Sequence, residues 1–232
     1  MRRPDLYAGE VTQVIARAHG ITLPTPEVAE AAVDGDAVLV SHESAELGTI
    51  VRLMLKHSTN LTAEVIGLTA TAARGQAVDS LAASAAAMTG WMQARTGTSA
   101  ANFVDHSGLS DHSRVSAADM VKLLVDVGPG SALHGQFKEI DPLDMEGKPV
   151  KEAAYRIHAK TGSLNFVSSL SGFVTGPGER ALAFTVLSGD VERRAAIAPD
   201  DMERPDGARS WARRARWLQH QFIHRWSALH GV

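Results

Sequence analysis

The stretch with the fewest ways to fold is residues 155–188. Tyr155, Ile157 and Ala159 alternate with Arg156, His158 and Lys160, the period of two that a half-buried strand requires. Ala181-Leu182-Ala183-Phe184-Thr185-Val186-Leu187 is almost continuously apolar, which predicts a strand covered on both faces. Gly176-Pro177-Gly178-Glu179 stands before it, and such a cluster between two strand patterns signals a tight hairpin. The reading is three strands, Tyr155–Thr161, Phe166–Thr175 and Ala181–Ser188, in an antiparallel meander. After a charged connector at 189–207 that contains prolines, Trp211, Ala215, Leu218, Phe222 and Leu229 recur at helical spacing. They predict a C-terminal helix packed on the sheet.

The N-terminal part carries the helical period instead. Val11, Val14, Ile15 and Ala18 form one stripe, stopped by Gly20; Ile21 to Asp36 reads as a loop, and Val38-Leu39-Val40 as a short strand. Ser44 is a candidate N-cap, with Leu47, Ile50, Val51 and Met54 behind it to about His57. Ser58-Thr59-Asn60 interrupts the pattern. Leu61, Val65, Leu68 and Ala72 restart it to about Arg74, and Val78, Leu81, Ala85, Met88 and Met92 mark a third helix ending near Gly97. Ser116 and Asp119 form a capping-box pattern before Met120, Leu123, Leu124 and Val127. Gly128-Pro129-Gly130 breaks that helix, and Phe137 to Glu152 reads as a polar loop. Helices first and strands afterwards predict an α+β fold, one domain over 1–232. Its helical cluster lies at about 42–135, and its sheet and closing helix at about 153–230.

Charge and composition remove several function classes. A net charge of -3 over 232 residues gives no nucleic-acid footprint. No cysteine is present, so disulfides and thiolate metal sites are excluded. Met1-Arg2-Arg3-Pro4-Asp5 opens into an amphipathic pattern, with no apolar export segment and no stretch long enough to span a bilayer. His220 and His224 sit four apart, but the His-Glu-x-x-His arrangement is absent, which favours surface or core histidines over a metal pair. Ser107 and Ser110 beside His106 and His112, with Asp105 or Asp111, imitate a triad in sequence. Triad members normally converge from separate segments, so a structural turn built on Asp105 and Gly108 is the preferred reading. Arg209, Arg213, Arg214 and Arg216 read as a solvated helix face.

The chemistry gathers at Lys160-Thr161-Gly162-Ser163. An ammonium, a hydroxyl and a residue without a Cβ at a strand edge suit a peptide that ends in a carboxylate and lies along the edge as an added strand. Taken alone, Lys160 also reads as a charged guard on an edge strand, and Ser58-Thr59-Asn60 as a helix interruption with its cap.

Three segments stand in a telling order: Met54-Leu55-Lys56-His57-Ser58-Thr59-Asn60-Leu61-Thr62-Ala63-Glu64, then Asp105-His106-Ser107-Gly108-Leu109-Ser110 with Arg114-Val115-Ser116, then His158-Ala159-Lys160-Thr161-Gly162-Ser163-Leu164. In order and spacing they resemble the penicillin-binding D-alanyl-D-alanine carboxypeptidase/endopeptidases, in particular the low-molecular-mass group with inserted domains, over about Tyr7 to Ser188. Penicillin-binding proteins and β-lactamases carry S-x-x-K, a Ser-x-Asn element and K-T-G. The resemblance implies a β-lactamase/transpeptidase-like fold and no metal or organic cofactor. It also implies peptidoglycan stem peptides with a D-Ala-D-Ala terminus as substrates, β-lactams as ligands, and a periplasmic place of action. It assigns Ser58 to relay a proton to the leaving amine, Asn60 to bond the substrate amide, and Lys160 to hold Ser58 and add positive potential. Thr161 would bind the terminal carboxylate, Gly162 would admit the substrate backbone, and the Ser163 N–H would serve the oxyanion.

One part of the pattern is missing. The residues three before Lys56, Lys122, Lys138, Lys148, Lys151 and Lys160 are Leu53, Asp119, Gly135, Met145, Lys148 and Ile157, so no S-x-x-K occurs. The expectation is a C-terminal portion of the fold with about three of its usual five strands, inactive alone. Its alternative is a non-catalytic cell-wall peptide-binding or interaction module, or a gene relic.

Overall fold

A computed structural model describes residues 3–28, 40–178 and 180–232. The chain divides into two compact units, residues 1–44 and 45–232. The expected strand at Val38-Leu39-Val40 falls outside the described residues at Val38 and Leu39.

The first unit contains α1 (Pro4–Ala18), which starts on a proline at its first turn with Asp5 beside the positive end of the helix dipole. The Gln13 side-chain amide donates to the carbonyls of Leu23 (3.1 Å) and Pro24 (2.9 Å), which folds the following segment back along the helix.

In the second unit come α2 (Leu47–His57), α3 (Asn60–Ala73), α4 (Leu81–Thr96) and α5 (Ala117–Val127). α2 begins at Leu47 with Glu46 at its cap position and no side-chain cap bond there, later than a cap at Ser44 predicts. Ser80 caps α4 and Ser116 caps α5, each hydroxyl accepting the N–H three residues on. Only half of the expected capping box forms at α5: a carboxylate oxygen of buried Asp119 has no hydrogen-bond partner.

Among the described residues the sheet has four antiparallel strands in sequence order: β1 (Lys138–Ile140), β2 (Arg156–Leu164), β3 (Val167–Thr175) and β4 (Ala181–Gly189). The polar segment expected as a loop therefore contributes a short fourth strand, and the sheet has one strand more than the pattern predicts. Three residues, two of them charged, carry too little alternation to announce a strand. β2 also runs on through Ser163 and Leu164, and Phe166 lies in the turn rather than in β3. Between β4 and the closing helix α7 (Ala208–His230) lies a short α6 (Val191–Ala195).

The strand alternation decides the layers. Ile157, Ala159, Leu170, Val174 and Phe184 share one face and bury Ile223 of α7 among them. Residues on the other face include fully buried Phe173, which meets Phe137 at 6.3 Å and His134 at 4.9 Å between ring centroids. α5 packs against β4 and β3, and α2 against the 3-10 turn at His134–Gln136 that leads into β1. The C-terminal end of α2 reaches the free end of β2, where Ser58 meets Lys160.

Candidate functional site

Ser58 caps the C-terminus of α2 in the left-handed conformation, φ 54 and ψ 48, its N–H bonded to the Met54 carbonyl at 2.7 Å. For a residue with a Cβ this backbone costs about 1–2 kcal/mol. The reversal releases the chain into Thr59, so that α3 starts at Asn60, which is exposed at its first turn. The Ser58 hydroxyl receives the Lys160 ammonium at 2.6 Å, across 102 residues of sequence. Lys160 also donates to the carbonyl of Thr161. Among the described residues no carboxylate forms a salt bridge with this ammonium, and burial pushes its pKa below the ordinary lysine value. A half-buried cation without a counter-charge gives up its proton more readily, and here the proton points at a hydroxyl.

Among the described residues the edge beside this pair is open. β1 covers β2 only at Ile157, His158 and Ala159. In the ladder the Gly176 N–H bonds Arg180 and the Asp190 N–H bonds Phe166, so even-numbered residues of β3 pair with β4 and odd-numbered ones with β2. The register of β2 with β3 then leaves Thr161 and Ser163 with both N–H and C=O pointing out of the sheet. Both residues are exposed. Their side chains belong to the alternate set with Ile157 and Ala159, whereas Lys160 and Gly162 belong with His158. A ligand lying along the edge as a strand meets both sets. Gly162 faces inward as well: a Cβ there would fall 2.3 Å from the Ser169 hydroxyl of β3. Its smallness thus serves the neighbouring strand, a requirement that a reading based on ligand approach does not contain.

The segment 105–110 is a turn built by side-chain caps. The Asp105 carboxylate accepts the Ser113 hydroxyl at 2.6 Å and the Ser110 N–H at 2.7 Å, and Gly108 has φ 72. Burial alone would raise the Asp105 pKa; the bonds from Ser113, Ser110, Ser107 and Gly108 outweigh it and hold the carboxyl below its ordinary value. His106 does not pair with Ser107 or Ser110. Its Nε2 lies 2.8 Å from the hydroxyl of Ser84, which is fully buried and in turn 2.6 Å from that of Thr71. A hydroxyl sealed from solvent is an anchor, so the triad reading fails on geometry as well as on order. Sequence reasoning missed the residue that ties this turn to the site. Glu64, one turn beyond Asn60, accepts the N–H groups of His106 (3.1 Å) and Ser107 (3.0 Å). Its signal was its place inside the Ser58–Glu64 segment, on the same helix as Asn60.

The two histidines of α7 are committed elsewhere. His220 Nδ1 accepts the Leu143 N–H at 3.2 Å; His224 Nε2 donates to the Leu143 carbonyl at 2.7 Å, and its Nδ1 accepts the Tyr155 hydroxyl at 2.6 Å. With Trp217 bonded to the Met145 carbonyl at 3.0 Å, they clamp the loop that feeds β2. Burial pushes the Tyr155 hydroxyl up to about 12. Burial, together with His224 and Arg216, pushes His220 down to about 4.

A family model described as D-Ala-D-Ala carboxypeptidase 3 (S13) matches residues 1–205. Carboxypeptidase DacB of Mycolicibacterium smegmatis is 27% identical over 208 residues, 82% of this chain and 43% of that protein. A D-alanyl-D-alanine carboxypeptidase of Actinomadura sp. (strain R39) is 30% identical over 219 residues, 85% of this chain and 39% of that protein. The chain spans about two fifths of the length of these curated relatives. Penicillin-binding protein 4 (DacB) from Haemophilus influenzae, solved with a β-lactam, superimposes with a TM-score of 0.65 at 20% identity, covering 94% of this chain and 50% of that one. A predatory endopeptidase of Bdellovibrio bacteriovorus gives 0.53 at 18% identity, over 92% and 56%. At these identities the structural likeness is one of fold: helices and an antiparallel sheet of the penicillin-binding protein 4 type.

Proposed function

The chain belongs to the D-Ala-D-Ala carboxypeptidase 3 (S13) family, and from that premise we propose that it acts on peptidoglycan stem peptides ending in D-Ala-D-Ala, as part of a serine-type carboxypeptidase/endopeptidase. The observation that carries the reading is the 2.6 Å contact between Lys160 and Ser58 beside a strand edge that is unpaired among the described residues. Lys160, Ser58 and Asn60 form the polar wall. Thr161, Gly162 and Ser163 form the edge on which the substrate backbone lies.

Each group has a task its chemistry suits. When the peptide C–N bond breaks, the departing amine needs a proton; the Ser58 hydroxyl gives it and takes one from Lys160. The depressed pKa of Lys160 favours that second transfer. The terminal carboxylate finds the ammonium and the Thr161 hydroxyl. The outward N–H of Ser163 is a donor for the negative charge that develops on the carbonyl oxygen, an interaction that can contribute about 3–4 kcal/mol to a transition state. Asn60 meets the substrate amide from the start of α3. The attacking serine of an S-x-x-K pair is not supplied by these 232 residues, so binding and proton delivery are what they provide. Among the described residues no helix is long and apolar enough to cross a membrane, and the cell envelope is the proposed place of action.

A second reading keeps the same edge without the reaction: a cell-wall peptide-binding module. The absence of S-x-x-K favours it for the 232 residues by themselves. Titrating the isotopically labelled chain with an acylated D-Ala-D-Ala peptide, and separately incubating it with a labelled penicillin, tests both. The expected result is amide shifts at Lys160–Leu164 and near Ser58 with the D,D-peptide, much weaker ones with the L,L-peptide, and no covalent label. Equal response to the two peptides, or none to either, overturns the substrate assignment. A covalent adduct overturns the division of labour among the residues.

A further inference from the structure

We infer that Phe166 and Arg193 are positioning residues: they lock the tip of the β2–β3 hairpin so that the outward N–H of Ser163, three residues earlier, is held in one place. This rests on the reading of the Lys160–Ser163 edge as the peptide site.

Among the described residues only two without a glycine's freedom have positive φ, Ser58 (54) and Phe166 (58). The first lies in the candidate site and the second closes the strand that carries Lys160. Two-residue hairpin loops normally place glycine or asparagine at such positions. A bulky aromatic there survives only where its surroundings leave it no alternative, and here they do. The ring is 2% exposed. Trp211 of α7 meets it edge-on at 6.2 Å, and the guanidinium carbon of Arg193 lies 4.4 Å from its centroid. The same guanidinium donates to the Asp206 carbonyl at 3.0 Å. Gly207 leaves room for it, since a Cβ there would fall 2.5 Å from Arg193 Nη2.

The backbone of the tip is held as fully as the ring. The Asp190 N–H bonds the Phe166 carbonyl at 2.9 Å, Arg194 bonds the Asn165 carbonyl at 3.2 Å, and the Asn165 amide donates to the Met202 carbonyl at 2.7 Å. Residues 190–207, within the segment 189–207 that the sequence marks only as a charged, proline-containing connector, are therefore a brace for the tip. A brace is useful here because Thr161 and Ser163 are flanked by β3 on one side only, β1 reaching no further than Ala159 among the described residues. Preorganised donors bind and stabilise charge better than mobile ones.

The variants are Arg193→Met, which keeps side-chain length without charge, and Arg193→Lys, which restores a cation over the ring. Arg194→Met serves as a second, independent loosening of the tip. Affinity for the acylated D-Ala-D-Ala peptide, 15N relaxation of the Gly162 and Ser163 amides, and the urea midpoint are measured together. Arg193→Met is expected to weaken peptide binding about fivefold, the scale of one exposed cation–π contact, and to raise amide mobility at Ser163. Arg193→Lys should recover part of both. A lowered urea midpoint with unchanged affinity and unchanged relaxation at Ser163 overturns the inference, because it leaves Arg193 a purely structural role. If the wild-type chain does not bind the peptide at all, the functional reading fails, and the Ser163 relaxation still decides whether the brace acts on the edge.

Discussion

Replacing Ser58 by glycine and by alanine separates two things that this one residue does. Both variants remove the hydroxyl that receives Lys160 at 2.6 Å, so both should abolish peptide-dependent shifts at Lys160 to the same degree. Their stabilities should diverge. The lost hydrogen bond involves a charged donor but an exposed serine, and costs about 0.5–1 kcal/mol in either variant. Alanine keeps the left-handed strain at φ 54. Glycine removes strain of about 1–2 kcal/mol and gives back about 0.5–1 kcal/mol in unfolded-state entropy. The net expectation is a glycine variant close to wild type and an alanine variant about 1 kcal/mol below the glycine one. Urea denaturation resolves this, since at equal m-value a shift in midpoint reports stability directly. If alanine proves as stable as glycine, the backbone at Ser58 is not strained. The reasoning that its conformation is held there for the sake of the hydroxyl then fails.

Two further expectations concern acid and association. His220 is 6% exposed, and its pKa falls from 6.5 unfolded to about 4 in the fold. Below pH 6.5 the unfolded chain therefore binds more protons, and stability contributed by neutral His220 is full above that pH and is lost as pH drops toward 4, by at most about 3 kcal/mol. Urea midpoints between pH 7 and 4.5 should fall for wild type and fall less steeply for His220→Gln; parallel slopes refute the assignment. Among the described residues, the outer edge of β4 leaves the N–H and C=O of Ala183, Thr185 and Leu187 without strand partners. It carries no charge or proline, and borders a cavity of about 300 Å³ lined by Val121, Phe184 and Trp226. The chain should self-associate with rising concentration, and Leu187→Lys should suppress this in sedimentation velocity; a wild-type monomer at high concentration refutes it.

The parts of the molecule that the sequence disclosed are those whose signal is local. Alternation from Tyr155 onward, the Gly-Pro-Gly hairpin and the spacing of Trp211 to Leu229 each report one element from its own residues, and β2, β3, β4 and α7 lie where they point. Ser58 and Lys160 are distant, and their meeting was legible only because an ordered set of segments carried it. Geometry that depends on which groups lie opposite one another left no trace. Gly162 reads as a place for a ligand to approach, yet its Cβ is excluded by Ser169 across the ladder. Glu64 has no pattern linking it to the N–H groups of His106 and Ser107. β1 escaped notice because pairing with Ile157–Ala159, rather than any periodicity of its own, makes it a strand.

The shortness of β1 also acts as a ruler. It blocks the edge up to Ala159 and releases it from Lys160 to the hairpin tip at Leu164, a window of five residues or about 17 Å. Inside it only Thr161 and Ser163 offer outward backbone groups, so a docked chain can make four main-chain bonds at most before it collides with Lys138. A dipeptide with one flanking unit, about 10 Å when extended, is enough to reach both outward residues within that window, and a long polypeptide gains no further main-chain bond from lying in it.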